Sequence, residues 1–378
     1  MQRRRHHRLW ICALVAPLAI VLGIPAIIAS WSGELYRMDA VIESQRGKEQ
    51  SLFGSAYSSQ DVPLKMGRIL RDGPELLVIG SSRTLDMRSE FFRPEFSFYN
   101  GGRLASDVWV MRQALQNLPA DRLPKHLLIG LDQYNFNAGS SKYHPDDITE
   151  QVVKEKFAPA EQGWERFGDV WPSVAKDLIK GKIHAPTDHG YRSVGLAAKM
   201  QASGFRNDGS YRYGGIIDHP PAERSASKRM EDAFDRIEDS EESFEHGDHL
   251  NLHALEEVGR LLDWCKERGI KVTAYFPPFA PSVIGAMRNP PHHYQYLDTL
   301  YPQVSRIFTE KGLRLFDFTQ VPGSTDEQFI DGFHPSERIA GTILLKMAEE
   351  DPVAGEISDA ERLRMLLSQS QDPLVLVP

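Results

Sequence analysis

The chain has 378 residues, of which 41% are hydrophobic and 25% are charged, so it can bury one large core or two smaller ones and does not have a disordered composition. Its formal net charge of −8 argues against nucleic acid as a main partner. The only cysteines, Cys12 and Cys265, fall in an apolar run and in a helical pattern, so no disulfide is expected in the body of the protein.

The N-terminus combines a basic cluster with a long uncharged run. Four arginines within residues 1–8 precede residues 9–31, which hold no charge and as a helix would extend about 33 Å, enough to cross a bilayer core. We expect residues 1–8 to be a cytoplasmic basic tail and residues 9–31 to be a single-pass anchor in a bacterial-type inner (cytoplasmic) membrane. The C-terminal domain would then lie in the periplasm or outside. A cleaved signal peptide is the alternative, because positions 29 and 30 are small.

Short apolar segments and amphipathic helices then alternate. Residues 32–70 are expected to form a stalk and an entry helix. The segments interpreted as strands are residues 75–79, 96–99, 126–131, 271–276 and 313–318. Helical patterns such as that of residues 252–268 separate them, and residues 336–349 are interpreted as a closing helix. This alternation is typical of a parallel sheet covered on both faces. The sequence therefore predicts an α/β fold, a flavodoxin-like three-layer sandwich with a central parallel five-stranded sheet in the order 2-1-3-4-5.

A long stretch, residues 134–250, separates the third and fourth strands. A structureless loop of that length is implausible, so we expect a helical insertion after strand three. It is rich in aromatic residues and ends in an acidic run that we interpret as a solvated surface. The main domain would span residues 71–350, and residues 351–378 would be a C-terminal tail.

Polar residues follow the first and the last strand, at the sheet edge where ligands of open parallel sheets bind. Ser81 and Ser82 come directly after the first strand in LLVIGSSRT, and Asp331 and His334 occur in FIDGFHPS after the fifth. A serine becomes a nucleophile when a base accepts its proton, and the base needs an orienting partner. The two motifs together favour a serine–histidine–aspartate triad over two structural turns.

This constellation resembles the SGNH (GDSL-like) hydrolase superfamily over residues 75–135 and 251–350. The resemblance implies that Ser82 is the nucleophile, that His334 is the general base and then the acid, and that Asp331 orients it. The other histidines show no metal-ligand spacing, so we expect no metal, and no cofactor is implied.

The superfamily's second block matches less well. FYNGGRLAS begins with the expected Asn100, but Ala105 stands where the superfamily has a glycine whose amide belongs to the oxyanion hole. An alanine amide donates equally well, and Gly101 or Gly102 could substitute after a shift.

The third block, GLDQYN, has Asp132 where the superfamily has an asparagine that donates to the oxyanion. An ionised carboxylate cannot donate a hydrogen bond, so we expect Gln133, Asn135 or the amide of Ser82 to complete the oxyanion hole. Arg83 could bind substrate, or it could form an ion pair with Asp132. We predict a close pair, because the two residues follow neighbouring strands.

An anchored domain with GSSR resembles the cell-envelope branch of the superfamily, which includes proteins resembling the teichoic acid D-alanyl transfer protein and the alginate O-acetyltransferase accessory proteins. That resemblance implies an extracytoplasmic serine acyltransferase or esterase that acts on O-acyl groups of cell-envelope or exported polysaccharide through an acyl-serine intermediate. It also implies a membrane-bound O-acyltransferase as a partner. The alternative is a catalytically inactive glycan-binding or scaffold protein with the same fold, which the altered third block favours.

Overall fold

The computed structural model describes residues 22–47, 49–140, 157, 165–186, 189–219, 225–289 and 293–377. The chain divides into two compact units, a smaller one of residues 1–60 with 159–207 and a larger one of residues 61–158 with 208–378. In chain order, the strands of the described residues are β1 (Ser51–Phe53), β2 (Leu76–Gly80), β3 (Phe98–Gly102), β4 (His126–Gly130), β5 (Arg192–Val194), β6 (Ser203–Phe205), β7 (Tyr211–Tyr213), β8 (Lys271–Phe276) and β9 (Leu315–Asp317).

The α-helices of the described residues are α1 (22–32), α2 (Met38–Gln45), α3 (Asp61–Asp72), α4 (Val108–Gln116), α5 (Phe167–Ile179), α6 (Leu196–Gln201), α7 (Gly214–Ile217), α8 (Ala226–Asp239), α9 (Leu252–Glu267), α10 (Pro281–Met287), α11 (Tyr296–Glu310), α12 (Glu337–Glu350), α13 (Pro352–Ile357) and α14 (Ala360–Gln369). Helix α9 illustrates how the sequence sets these bounds. Asn251 caps its first turn by accepting from the amides of His253 and Ala254, and Gly269 ends it with a φ of +68°.

The larger unit is built on a parallel sheet in the order β3-β2-β4-β8-β9. Leu76 of β2 lies opposite Phe98 of β3 on one side and opposite His126 of β4 on the other. All residues of β2 and β4 are buried, as expected of strands that are covered on both faces. The predicted five-stranded parallel sheet and its strand order are confirmed.

Three strands differ in length from their predicted bounds, and the smallest difference is in β4, which ends at Gly130 instead of residue 131. Strand β3 starts at Phe98 and continues through Gly102, beyond the apolar segment, because Gly101 and Gly102 pair with Ile79 and Gly80 through their main chains. Strand β9 covers only Leu315–Asp317. Main-chain pairing does not depend on the apolar character that marked these strands in the sequence.

The residues after 350, predicted as a tail, belong to the larger unit. They form α13 and α14, and Leu363, Leu374 and Leu376 are buried. The Glu337 carboxylate accepts hydrogen bonds from the amides of Leu376 and Val377 at 3.1 and 3.2 Å. This segment is therefore part of the folded domain.

The smaller unit contains residues 32–60 of the predicted stalk and part of the predicted insertion. Strand β1 pairs in parallel with β5 and antiparallel with β6. Ala29, Val170, Val174 and Leu196 form a small core of their own. The prediction of a purely helical insertion is therefore wrong: residues 165–207 contribute strands to this unit, and residues 208–250 belong to the larger one.

None of the described helices is long and apolar enough to span a bilayer. Residues 1–21, with the basic tail and most of the predicted anchor, lie outside the described residues. The remainder of the predicted anchor lies in α1. Ala29 on this helix is buried in the small core, whereas Leu22, Ile27 and Trp31 are exposed.

Candidate active site

Ser82 and His334 are 252 residues apart in the chain and in contact in the fold. Ser82 opens a short 3-10 turn directly after β2, and His334 lies in the loop between β9 and α12. The Nε2 atom of His334 is 2.8 Å from Ser82 Oγ, and its Nδ1 atom is 2.8 Å from Asp331 Oδ2. Both distances are those of hydrogen bonds in an activated serine site. The structure therefore brings the three predicted triad residues together.

The Asp331 carboxylate is held in place by its own loop. Its Oδ1 atom accepts the amides of Phe333 at 2.8 Å and His334 at 2.7 Å. Burial by itself would raise the pKa of Asp331, but its electrostatic interaction with the His334 ring and the hydrogen bonds that it accepts outweigh burial and lower the pKa below its usual value. An ionised Asp331 accepts the Nδ1 proton of His334, which leaves Nε2 as an acceptor for the Ser82 hydroxyl.

The loop that carries Asp331 and His334 is fitted between two helices. A Cβ on Gly332 would lie 2.4 Å from Ala233 Cβ of α8 and 2.8 Å from Val283 Cγ2 of α10. Arg229 of α8 also donates to the main-chain oxygens of Phe329 and Ile330. Only glycine fits between Asp331 and Phe333, and the helices on either side set the position of the histidine.

Arg83 connects the carboxyl ends of several strands. Its Nε atom donates to the Phe333 oxygen at 3.1 Å, Nη2 to the Pro277 oxygen at 2.8 Å, and Nη1 to Asp132 Oδ1 at 3.2 Å and Gln133 Oε1 at 2.7 Å. The predicted ion pair with Asp132 is confirmed, with both side chains at 0% exposure. The Arg83 guanidinium donates to four acceptors and does not form a bidentate pair with the Asp132 carboxylate. Because both side chains are inaccessible, the alternative that Arg83 binds substrate is wrong, and Asp132 does not contact substrate either.

The charges of Arg83 and Asp132 are balanced in an apolar environment. Burial raises the pKa of Asp132, and the positive charge of Arg83 opposes this rise. Burial likewise lowers the pKa of Arg83, opposed by Asp132. The guanidinium carbon lies 4.2 Å from the ring centre of Phe279 and 4.6 Å from that of Phe333. Such a pair stabilises the fold only as a pair, since either member alone would be an uncompensated buried charge.

The side-chain amides of Gln133 and Asn135 donate to groups other than Ser82. Gln133 Nε2 donates to the Pro277 oxygen at 2.7 Å and to Thr319 Oγ1 at 2.9 Å. Asn135 Nδ2 donates to the Ser106 oxygen at 2.6 Å. The prediction that either side chain completes an oxyanion hole is wrong, because the 3-10 turn after β4 directs both into main-chain acceptors.

Asn100 holds the segment that follows Ser82. Its Nδ2 atom donates to the main-chain oxygens of Thr84 and Met87, both at 2.8 Å, and its Oδ1 atom accepts the amide of Gly102 at 2.8 Å. Asn100 is therefore a positioning residue, and the Gly102 amide is already bonded. The prediction of Gly102 as an oxyanion donor is wrong for this reason.

Two predicted main-chain donors remain for an oxyanion. Ser82 is the first residue of its 3-10 turn, so its amide has no acceptor within that turn. Ala105 is fully buried, and among the described residues its amide has no acceptor. A buried N–H without a partner is uncommon in folded proteins, and a bound oxygen atom would satisfy it.

Ser81 and Ser82 differ in their surroundings, which distinguishes the two adjacent hydroxyls. Ser81 is 5% exposed, and its Oγ atom accepts the amide of Arg83 at 3.1 Å, so that it caps the turn. Ser82 is partly exposed and faces His334.

Sequence reasoning missed Tyr213, which comes from the insertion. Its ring centre is 6.0 Å from that of His334 and 4.8 Å from that of Tyr211. The aromatic richness of the insertion was the only signal for it, and that signal could not place it beside the triad.

No group of His, Cys, Asp and Glu side chains within the described ranges could hold a metal ion. Comparisons with protein families, with curated proteins and with solved structures give no match for this chain. A functional conclusion therefore depends on the chemistry of the residues around Ser82.

Proposed function

We propose that the protein is an SGNH-type serine acyltransferase or esterase that acts on O-acyl groups of cell-envelope or exported polysaccharide through an acyl-Ser82 intermediate. The observation that carries this proposal is the line of hydrogen bonds from Asp331 through His334 to Ser82, with heavy-atom distances of 2.8 Å at each end. A hydroxyl aligned with an imidazole that a carboxylate orients is the arrangement that activates a serine.

The chemistry divides into two half-reactions. In the first, Ser82 Oγ bonds to the acyl carbonyl carbon while His334 Nε2 accepts the hydroxyl proton. The ester C–O bond then breaks, and the leaving alkoxide takes that proton from His334. In the second, an acceptor hydroxyl, from a glycan or from water, gives its proton to His334 as its oxygen bonds to the acyl carbon. Ser82 Oγ leaves and regains the proton.

Both half-reactions place negative charge on the carbonyl oxygen. The amides of Ser82 and Ala105 would donate to it, in place of the side-chain donor that Asp132 cannot supply. Fixed N–H donors at such a position contribute strongly to acyl transfer because they need no reorganisation as the charge develops.

The location belongs to the same proposal. The uncharged run of residues 9–31 behind four arginines supports an inner-membrane anchor with the body in the periplasm or outside, beside a membrane-bound O-acyltransferase. Protease added to intact spheroplasts should digest the body of the protein. A protected body, or a mature N-terminus near residue 32, would contradict the anchored topology.

The second candidate is an inactive glycan-binding or scaffold protein. It is favoured by one observation, the replacement of the side-chain donor of the oxyanion hole by the buried Asp132. It differs from the enzyme in one measurable property, the reactivity of Ser82.

Mass spectrometry of the full chain after exposure to p-nitrophenyl acetate distinguishes the two. We expect one acetyl group on Ser82, none in Ser82→Ala and an unchanged adduct in Ser81→Ala. An unmodified wild-type protein would support the scaffold. Comparing release of the acetyl group into water and into added oligosaccharide then separates an esterase from a transferase.

A further inference from the structure

The segment from Asp208 to Tyr213 is fastened along the edge strand β3, beside the triad. The amide of Asn100 donates to the Asp208 oxygen at 2.8 Å. The buried ammonium of Lys65 donates to the Asn100 oxygen at 2.7 Å and also to the Gly209 oxygen. Gly209 has a φ of +83°, and a Cβ there would lie 2.3 Å from the Asn100 oxygen. The main chain approaches β3 so closely that only glycine fits.

This docking places two tyrosine rings in a row with His334. The amide of Tyr211 donates to the Leu85 oxygen at 3.0 Å, which fixes the segment to the turn after Ser82. The ring centre of Tyr213 is 4.8 Å from that of Tyr211 and 6.0 Å from that of His334. Both tyrosines are half-buried. Flat aromatic rings beside a triad present apolar surface on which a sugar ring can pack.

An arginine occupies the next position along the same edge. Arg103 follows Gly102 and donates its amide to the Gly80 oxygen at 2.9 Å, at the end of the strand that leads to Ser82. Its φ of +69° is in the left-handed region that favours glycine. Its side chain is 45% exposed, with Nε 2.7 Å from Asp61 Oδ2. A non-glycine residue in this region persists where the surrounding structure holds it, and such residues cluster at functional sites.

The positive charge of Arg103 acts on both tyrosines. Burial raises the pKa of Tyr211 and of Tyr213, and the positive charge of Arg103 opposes the rise in both. For Tyr213 the negative charges of Asp86 and Asp331 add to the effect of burial. The Tyr213 hydroxyl is therefore protonated and available as a donor.

We propose that Arg103, Tyr211 and Tyr213 form the acceptor subsite, and that this subsite binds a glycan carrying an anionic group. The inference deepens the proposed function and rests on it. The rings would pack against a sugar ring, and the guanidinium would bind its carboxylate or phosphate, for which the planar fork of arginine is suited. The acceptor hydroxyl would then lie beside His334, which takes its proton in the second half-reaction.

The test measures binding to the full chain in detergent by calorimetry, with three probes. Oligogalacturonate carries carboxylates, its methyl-esterified counterpart is neutral, and glucose 1-phosphate carries a phosphate. We expect the wild-type protein to bind at least one anionic probe more tightly than the neutral one. The difference in affinity between the two anionic probes then shows whether a carboxylate or a phosphate is bound. Equal binding of all three, or no binding of any, would overturn the subsite.

Arg103→Gly is the most informative variant, because glycine adopts the positive φ without strain and the fold is retained. We expect the preference for the anionic probe to fall about tenfold to a hundredfold, as for loss of a hydrogen bond to a charged group. The preference of Arg103→Lys for the anionic probe should lie between those of wild type and Arg103→Gly, since lysine keeps the positive charge but lacks the planar guanidinium. Arg306→Ala is the matched control, because it removes another exposed arginine with an acidic partner, 74% accessible on the side chain. A retained preference in Arg103→Gly would overturn the role of Arg103.

Tyr213→Ala should weaken binding of the neutral and the anionic sugars alike. Tyr213→Phe keeps the aromatic ring and loses only the hydroxyl, so it should retain the part of the binding that comes from ring packing. Acetylation of Ser82 by p-nitrophenyl acetate, measured in the wild-type protein, separates the two proposals. Sugar binding without acetylation would remove the proposed function and leave the subsite. Acetylation without selective binding would remove the subsite alone.

Discussion

Arg83 donates from Nε to the main-chain oxygen of Phe333 at 3.1 Å, and so ties the residue after Ser82 to the residue before His334. The link is fully buried, and the same guanidinium also reaches acceptors that follow β4 and β8. A single side chain therefore holds both halves of the triad at one sheet edge.

Replacing Arg83 tests this link. Arg83→Met should destabilise the protein by about 3–5 kcal/mol, because it leaves the Asp132 carboxylate buried without its partner. The double variant with Asp132→Asn should recover part of that loss. Urea unfolding gives the stabilities, and the acetylation rate of Ser82, taken where each variant is folded, gives the positioning effect. A single variant as stable as wild type, or a double variant that acetylates at the wild-type rate, would contradict the assignment.

The triad predicts a ranked loss of activity with the fold intact. Ser82→Ala and His334→Ala should lower the rate on the order of a millionfold, and Asp331→Ala on the order of ten-thousandfold, by analogy with measured serine-protease triads. The base remains in the last variant but loses the partner that fixes its tautomer. Steady-state hydrolysis of an activated ester checks the ranking, with the exposed Arg306→Ala as the control. Full turnover in Ser82→Ala would place the nucleophile elsewhere.

A substitution at Gly332 tests how closely the loop that carries Asp331 and His334 packs against helices α8 and α10. Gly332→Ala should cost about 1–3 kcal/mol of stability and slow the acetylation of Ser82, because the added Cβ would lie 2.4 Å from Ala233 Cβ and displace the loop. Gly285→Ala on the neighbouring helix α10 is the control, since nothing lies within 4 Å of its added Cβ and alanine favours a helix. If the two variants behave alike in thermal melts and acetylation assays, the loop is not fitted as described.

Lys65 predicts a pH dependence of stability. Burial lowers the pKa of this ammonium from 10.5 to about 7. Between these values the unfolded chain binds a proton that the folded protein does not, so the folded state gains stability as pH rises through this window. The penalty of burying the charged form is fully present below about pH 7.

The measurement is the difference in unfolding free energy between wild type and Lys65→Met across pH 7 to 10, in which the other titrating groups cancel. This difference should move in favour of wild type by up to about 1.4 kcal/mol per pH unit. A flat difference would mean that Lys65 stays charged in the fold.

The sequence by itself determined the parallel sheet and its strand order, and it predicted the serine, histidine and aspartate that meet at the sheet edge. Short apolar segments separated by amphipathic helices leave few ways to bury their surfaces, and parallel strands end at a common edge, so the residues that follow β2 and β9 lie at the same edge of the sheet. Strands β4 and β8 separate β2 from β9, and the long loop after β9 brings His334 to Ser82. The charges of Arg83 and Asp132 made their pairing predictable for the same reason, since they follow adjacent strands.

Only the tertiary structure decided which groups face Ser82. Gln133 and Asn135 follow β4 as predicted, yet their side-chain amides donate to the main-chain oxygens of Pro277 and Ser106. No local sequence pattern predicts these two contacts. Tyr213 reaches His334 because a long-range contact of Lys65 fastens its segment to β3. Such contacts join residues far apart in the chain, and their partners are set by the close packing of whole elements and not by periodicity along the sequence.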